Sequence, residues 1–245
     1  MSTERKAGNG GFRRKIAAVL VAGGVLLAGA LGFASQQGSA NTTAANTPPV
    51  ATTQHRNAPA TVPKPLENVG HYGENAYDKA KLGDWTKARS ELASLKSATA
   101  QLQGAGVSNT STLKADVAAL DRAVFARDQA GALAASNKVT FDAASLSASY
   151  KTPVPVEVTK LDYYGRQLEV QAAAGNTSGL KQTATDIQNT WNQVRPQIVA
   201  NGGTKEAKQF DATVAQVQQA QTPSQYGKLA TPVLAQVDYL EAVFG

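Results

Sequence analysis

The stretch Leu180 to Ile198, LKQTATDIQNTWNQVRPQI, decides the fold. Its apolar residues Leu180, Ala184, Ile187, Trp191, Val194 and Ile198 step by four, three, four, three and four. That spacing gathers them into one stripe along a helix and leaves polar side chains on the other faces. The same signature occurs at Leu113, Val117, Leu120 and Val124, at Ala207, Phe210, Val214 and Val217, and at Tyr226, Leu229, Val233, Val237, Leu240 and Phe244. Alternating steps of three and four suit the shallow crossing of helices in bundles. No stretch sustains the two-residue alternation of a half-buried strand, so the expected fold is all-α.

Turn residues cut this region into about eight helices arranged as antiparallel hairpins. Gly83-Asp84, Asp128, Gly175-Asn176 and Thr222-Pro223 read as tight turns, each with a residue able to cap the next helix. Gly104-Ala105-Gly106, Thr152-Pro153-Val154-Pro155 and Asn201-Gly202-Gly203 separate the hairpins. Pro196 and Pro232 fall inside helical patterns and are expected to end or kink them. Sliding the chain by 92 residues lays His71-Tyr72-Gly73 over Tyr163-Tyr164-Gly165 and Gly83-Asp84 over Gly175-Asn176. The stripe Val69, Tyr72, Ala76, Ala80 then lies over Leu161, Tyr164, Leu168, Ala172. Two related four-helix halves are expected, at 67–151 and 156–245.

The N-terminal part reads differently. Residues 16–34, IAAVLVAGGVLLAGALGFA, carry no charge and follow Arg13-Arg14-Lys15. A run of that length crosses a bilayer as a helix, and the basic segment 1–15 holds its start in the cytoplasm. A retained signal anchor in the cytoplasmic membrane is expected, single-pass, with everything beyond it extracytoplasmic. Gly32-Phe33-Ala34 and Gly38-Ser39-Ala40 mark the alternative, a cleaved signal releasing a secreted or periplasmic protein near Ala34 or Ala40. Arg13-Arg14 serves as an ordinary basic flank, since the residues around it lack the fuller twin-arginine pattern. Residues 35–66 hold five of the ten prolines and almost no large apolar side chain. They are expected to form a disordered, extended linker.

Charge and composition exclude several functions. Of the net charge of +6, residues 1–15 supply +4 and residues 35–66 supply +2, which leaves 17 basic and 17 acidic groups in 67–245. A balanced surface lacks the concentrated basic patch that displaces counterions from phosphate, so no nucleic-acid partner is expected. With no cysteine, there is no disulfide, thiolate nucleophile or zinc–thiolate site. The two histidines, His55 and His71, sit in the linker and on an outer helix face, and no phosphate-binding loop or H-E-x-x-H run is present. Neither an enzyme nor a cofactor is expected.

Two short likenesses stand out. Lys81-Leu82-Gly83-Asp84-Trp85-Thr86-Lys87-Ala88 resembles the turn and second-helix start of a tetratricopeptide repeat, which implies a helical hairpin and, if hairpins stacked into a groove, partner binding. His71-x-x-Glu74 resembles part of the G-x-H-x-x-E signature of imelysin-like exported proteins, which are paired helical bundles linked with iron uptake; Val69 stands where that signature has glycine.

His71, Glu74 and Asp78 share a helical spacing and are the candidate metal ligands, with Asp162 or Asp238 as further members. At 100° per residue the stripe from Val69 to Ala80 lies within about 60° of zero, whereas His71, Glu74 and Asp78 fall near about 200°, 140° and 180°. They are expected to face solvent. The acids Asp121, Asp162, Asp211 and Asp238 follow apolar residues and are expected to pair with basic groups or tyrosines at the core edge, Asp162 with Arg166 four residues on. Trp85 and Trp191 read as packing anchors. The expected function is a membrane-tethered or exported, non-catalytic binding or scaffold module with a protein partner; the alternative is an extracytoplasmic metal-binding bundle.

Overall fold

The computed structural model describes residues 60–245, which hold eight α-helices and no strand. The expectations for residues 1–59, including the 16–34 segment, lie outside the described residues. The helices are α1 (Lys64–Lys81), α2 (Trp85–Gln101), α3 (Ser111–Ala126), α4 (Gln129–Ser147), α5 (Val156–Ala173), α6 (Thr177–Ala200), α7 (Thr204–Gln219) and α8 (Pro223–Ala242). The all-α expectation is met. None of these helices is long and apolar enough to cross a membrane.

Each helix begins and ends where its local chemistry dictates. Asp84, Asp128 and Asn176 accept bonds from the backbone N–H of Lys87, Gly131 and Gly179, and Thr222 forms a reciprocal capping box with Gln225. Such caps satisfy amide groups that the first helical turn leaves without carbonyl partners. The first turn of each half is built alike: Gly83 (φ +68°) and Gly175 (φ +65°) adopt the left-handed conformation that closes α1 and α5. Asp84 N–H then donates to Lys79 O and Asn176 N–H to Gln171 O, both at 2.9 Å.

The apolar stripes converge on two cores. In the first, Leu66, Val69, Leu95, Leu113, Leu120 and Val139 are buried; in the second, Leu161, Leu180, Ile187, Trp191, Phe210 and Val237 are. In the first set α1 packs against α2 and α4, and α3 against α4; in the second α5 packs against α6 and α8. Helix α4 also packs on α5 and so joins the two sets. The starts of α1, α2 and the ends of α1 recur 92 residues later at α5, α6 and the end of α5, while α3 and α7 begin 93 residues apart and α4 and α8 begin 94 apart. Small residues permit the close packing in both: Gly73 lies against Val139 and Thr140, and Gly165 against Val233 and Leu234.

One local expectation needs correction. The linker does not extend to residue 66: Lys64, Pro65 and Leu66 are the first turn of α1, and Leu66 is 1% exposed. Proline fits there because first-turn N–H groups have no intrahelical acceptor, and Leu66 gains a place in the core. Just before it, Ala60 O accepts from Lys151 N–H at 2.9 Å, so the chain enters beside the end of α4. Of the two outcomes expected at Pro196 and Pro232, an end is not what occurs: both lie inside helices that continue to Ala200 and Ala242. Each proline forfeits one backbone bond, whereas the following turns bury Ile198, Val237 and Leu240.

Candidate functional site

The ionisable side chains that depart most from ordinary solvated behaviour gather where α4 and α5 join the two sets of helices. On one side of this seam, α1 and α5 run in the same direction, because their contacts climb together. Glu74 meets Arg166 at 3.7 Å, Tyr77 Oη donates to Glu169 Oε2 at 3.3 Å, and Lys81 Nζ lies 2.6 Å from Glu169 Oε1. Arg166 is 3% exposed and also bonds Asp162, one turn earlier, at 2.8 Å. Its guanidinium stands 5.5 Å from the centre of the Tyr77 ring, a cation–π contact. Burial opposes charge on Arg166, but Asp162, Glu74 and Asp78 outweigh it and raise its pKa. Burial, then the neighbouring Glu169, pushes the Tyr77 phenol up, so Tyr77 is a fixed hydrogen-bond donor.

In the middle of the seam α4 runs opposite to α5. Asn137, fully buried on α4, donates from Nδ2 to Tyr163 O and Gln167 Oε1, both at 3.1 Å. The Phe141 ring packs on Tyr163 at 4.6 Å and Tyr164 at 6.3 Å, with Lys160 Nζ 5.9 Å from its centre.

On the far side three carboxylates, Asp116, Asp142 and Asp186, act on the Tyr163 phenol. Asp142 on α4 lies within electrostatic reach of Asp116 on α3. Burial first, then the neighbouring Asp116 carboxylate, raises the Asp142 pKa to about 6, against an opposing pull from Lys138. Its Oδ2 is sealed from solvent without a partner. The Tyr163 phenol is pushed up to about 12 by burial, then by Tyr164, Asp186, Asp116 and Asp142. Burial, followed by Asp186, also raises Tyr164.

The metal candidates are not brought together. His71 and Asp78 are exposed as the wheel requires, and His71 Nε2 lies 3.2 Å from Asn75 Nδ2. Glu74 differs: it is half-buried against Arg166, because the wheel located the core of its own half but not the second half lying across α1. Among the described residues no group of three or more His, Asp or Glu side chains is placed to hold a metal ion. The acids at the core edge behave as expected. Asp162 pairs with Arg166, Asp121 with Lys96 at 3.0 Å, and Asp211 with Arg195 at 2.8 Å while accepting from Trp191 Nε1 at 2.7 Å. Asp238 is half-buried on α8. Trp191 is buried against Phe210, and Trp85 is half-buried at the edge of the first core.

Asp116, Asp142, Asn137, Tyr77 and Asp186 were not legible as site residues, since each matters only through a helix distant in sequence. One signal was available. The 92-residue slide that aligned the glycines also lays Glu74 over Arg166 and Tyr77 over Glu169, complementary groups at equivalent places.

The geometry defines an all-α protein of two related helical sets joined by a polar, aromatic seam. No protein family matches the chain, and neither the curated proteins nor the solved structures yield a match.

Proposed function

We propose that the chain is an exported, membrane-tethered helical module that binds or scaffolds another protein without catalysing a reaction. Its placement rests on residues 16–34, an uncharged apolar run behind a basic cluster. The Pro/Thr-rich residues that follow would act as a stalk setting the helical part away from the bilayer. One observation carries the role: the unusual ionisable groups, Arg166 above all, pair across the seam and fix one half against the other. A rigid, charge-balanced helical surface is suited to receiving a partner. Phe125 and Leu82, 82% and 77% exposed near the ends of α3 and α1, supply apolar anchors on that surface.

Membrane fractionation of cells making the intact chain, followed by N-terminal sequencing of the recovered protein, tests the placement. Recovery from the membrane fraction with residues 16–34 retained supports the anchor, and recovery from the cytosol overturns it. Crosslinking in intact cells tests the role. A reproducible neighbour that is lost on Phe125→Ser supports binding, and recovery of no consistent neighbour overturns it.

A further inference from the structure

We propose that the turn end of the first helical set is the docking face, and that its occupant is an acidic protein segment carrying at least one large apolar side chain. The inference rests on the binding role above and names where that binding occurs and what it selects. Gln129 Nε2, at the start of α4, donates to Ala80 O and Lys81 O at 3.0 Å, and Lys96 on α2 meets Asp121 on α3 at 3.0 Å. The end of α1, the start of α2, the end of α3 and the start of α4 therefore share one end of the set. Its two exposed large apolar side chains, Leu82 and Phe125, both lie there, and Trp85 is half-buried just after the α1–α2 turn.

The fold does not require this composition, because the second set closes the same way without it. Gly175 and Asn176 repeat the left-handed glycine and the side-chain cap of Gly83 and Asp84. At the equivalent positions Ala174 stands for Leu82, Thr177 for Trp85, Gln218 for Phe125, and Ala215 and Ala220 for Arg122 and Arg127. Residues 78–89 and 121–129 hold ten charged groups, whereas their counterparts, 170–181 and 214–222, hold one, Lys181. Three of the four acids among the ten are engaged: Asp84 and Asp128 cap α2 and α4, and Asp121 pairs with Lys96. Of the six cations, Lys81 and Lys87 pair with Glu169 and Asp84, while Lys79, Arg89, Arg122 and Arg127 form no ion pair among the described residues. Four cations without an ion pair therefore stand against one acid without one, Asp78. Arg122 and Phe125, three residues apart, share a face of α3. Exposed cations around apolar side chains complement a segment of opposite charge, and arginine forks hold carboxylates by paired bonds. The bilayer fits this end less well. Ala60 O meets Lys151 N–H at the other end of the set, about 27 Å away along the 18 residues of α1, so a tether would hold the module by that end.

The test uses the intact chain in cells. A photoreactive benzoylphenylalanine is introduced at Phe125 or, for comparison, at the equivalent Gln218, and the adducts are identified by mass spectrometry. The expected adduct at Phe125 joins another protein through an acidic segment and is absent at Gln218. Its yield should fall about tenfold or more when Arg122→Glu and Arg127→Glu are combined. Should that variant lose its helicity, Arg122→Gln with Arg127→Gln replaces it, with an expected loss of about threefold or more. An adduct to lipid or to a second copy of this chain, an attached segment without acidic residues, equal adducts at the two positions, or a yield indifferent to the substitutions overturns the inference. So does the absence of any adduct at Phe125; the binding role itself falls only if crosslinking elsewhere on the chain also finds no neighbour.

Discussion

Glu74 and Arg166 occupy equivalent positions in α1 and α5, 92 residues apart, and face each other at 3.7 Å with opposite charge. One turn on, the equivalent residues Tyr77 and Glu169 meet as donor and acceptor. Equivalent residues that touch across parallel helices indicate that the second half is stacked beside the first, and the difference in residue type makes that stacking favourable. Identical residues would have put like charges together at the seam.

The Arg166 side chain is nearly sealed and holds Asp162 in place. Replacing it with alanine would break the buried ion pair with Asp162 by removing one charge, a loss typically of about 3–5 kcal/mol. Glu74→Gln weakens the longer, half-exposed contact and should cost less than about 1 kcal/mol. Denaturant unfolding of the two variants measures the difference; equal effects would mean that Arg166 is not the keystone of the seam.

Equivalent glycines should respond unequally to alanine. At Gly165 a Cβ would come within 2.7 Å of Leu234 Cδ2 and 2.9 Å of its Cγ, whereas at Gly73 the nearest atoms are 3.0 and 3.1 Å away on Val139 and Thr140. Overpacking of the first kind costs about 1–3 kcal/mol, more than the roughly 1 kcal/mol gained from helix propensity. Gly165→Ala should lower the melting temperature and Gly73→Ala should leave it nearly unchanged. Adding Leu234→Val to Gly165→Ala should recover part of the loss.

Stability should fall as pH rises through the titration of Asp142. Its folded pKa is raised from 3.8 to about 6, so between those values the folded chain binds more protons than the unfolded chain, and unfolding becomes easier with rising pH. At neutral pH Asp142→Asn should therefore stabilise, by about 1 kcal/mol once solvent screening at this half-exposed group is allowed for. The gain should disappear in acid; a variant equally stabilised at all pH values would refute the linkage.

Asp211 should show the opposite sign. The bond from Arg195, then the bond from Trp191, holds its carboxyl below the usual carboxylate range despite partial burial. A depressed acid contributes stability above its unfolded pKa and loses it as pH falls through the folded one. Asp211→Asn should cost less than about 1 kcal/mol at neutral pH, given the exposure of the pair, and nothing in strong acid. Comparing pH–stability curves of the variant and the parent checks both ends.

Much of the architecture can be read along the chain because helix formation, capping and core stripes are local. Leu180 through Ile198 needed only its own spacing to be assigned to a buried helix face, and Gly83-Asp84 and Gly175-Asn176 needed only their own chemistry to be turns. Asp162 with Arg166 was readable for the same reason, one helical turn apart. Pro65, by contrast, disguised the first turn of α1 as linker, since composition over a window weighs a proline the same whether or not its missing N–H matters.

By itself the sequence determined the all-helical class of the described residues, their turns, their apolar stripes and the 92-residue offset between α1–α2 and α5–α6, all consequences of interactions within a few residues or of a pattern at fixed offset. Only the tertiary structure decided that Glu74 turns from solvent to Arg166, that Asp116 bears on Asp142, and that Asp116, Asp142 and Asp186 all act on the Tyr163 phenol. Those relations depend on which face of one bundle meets the other. A helical wheel resolves directions about a single axis and carries no information about what lies across it.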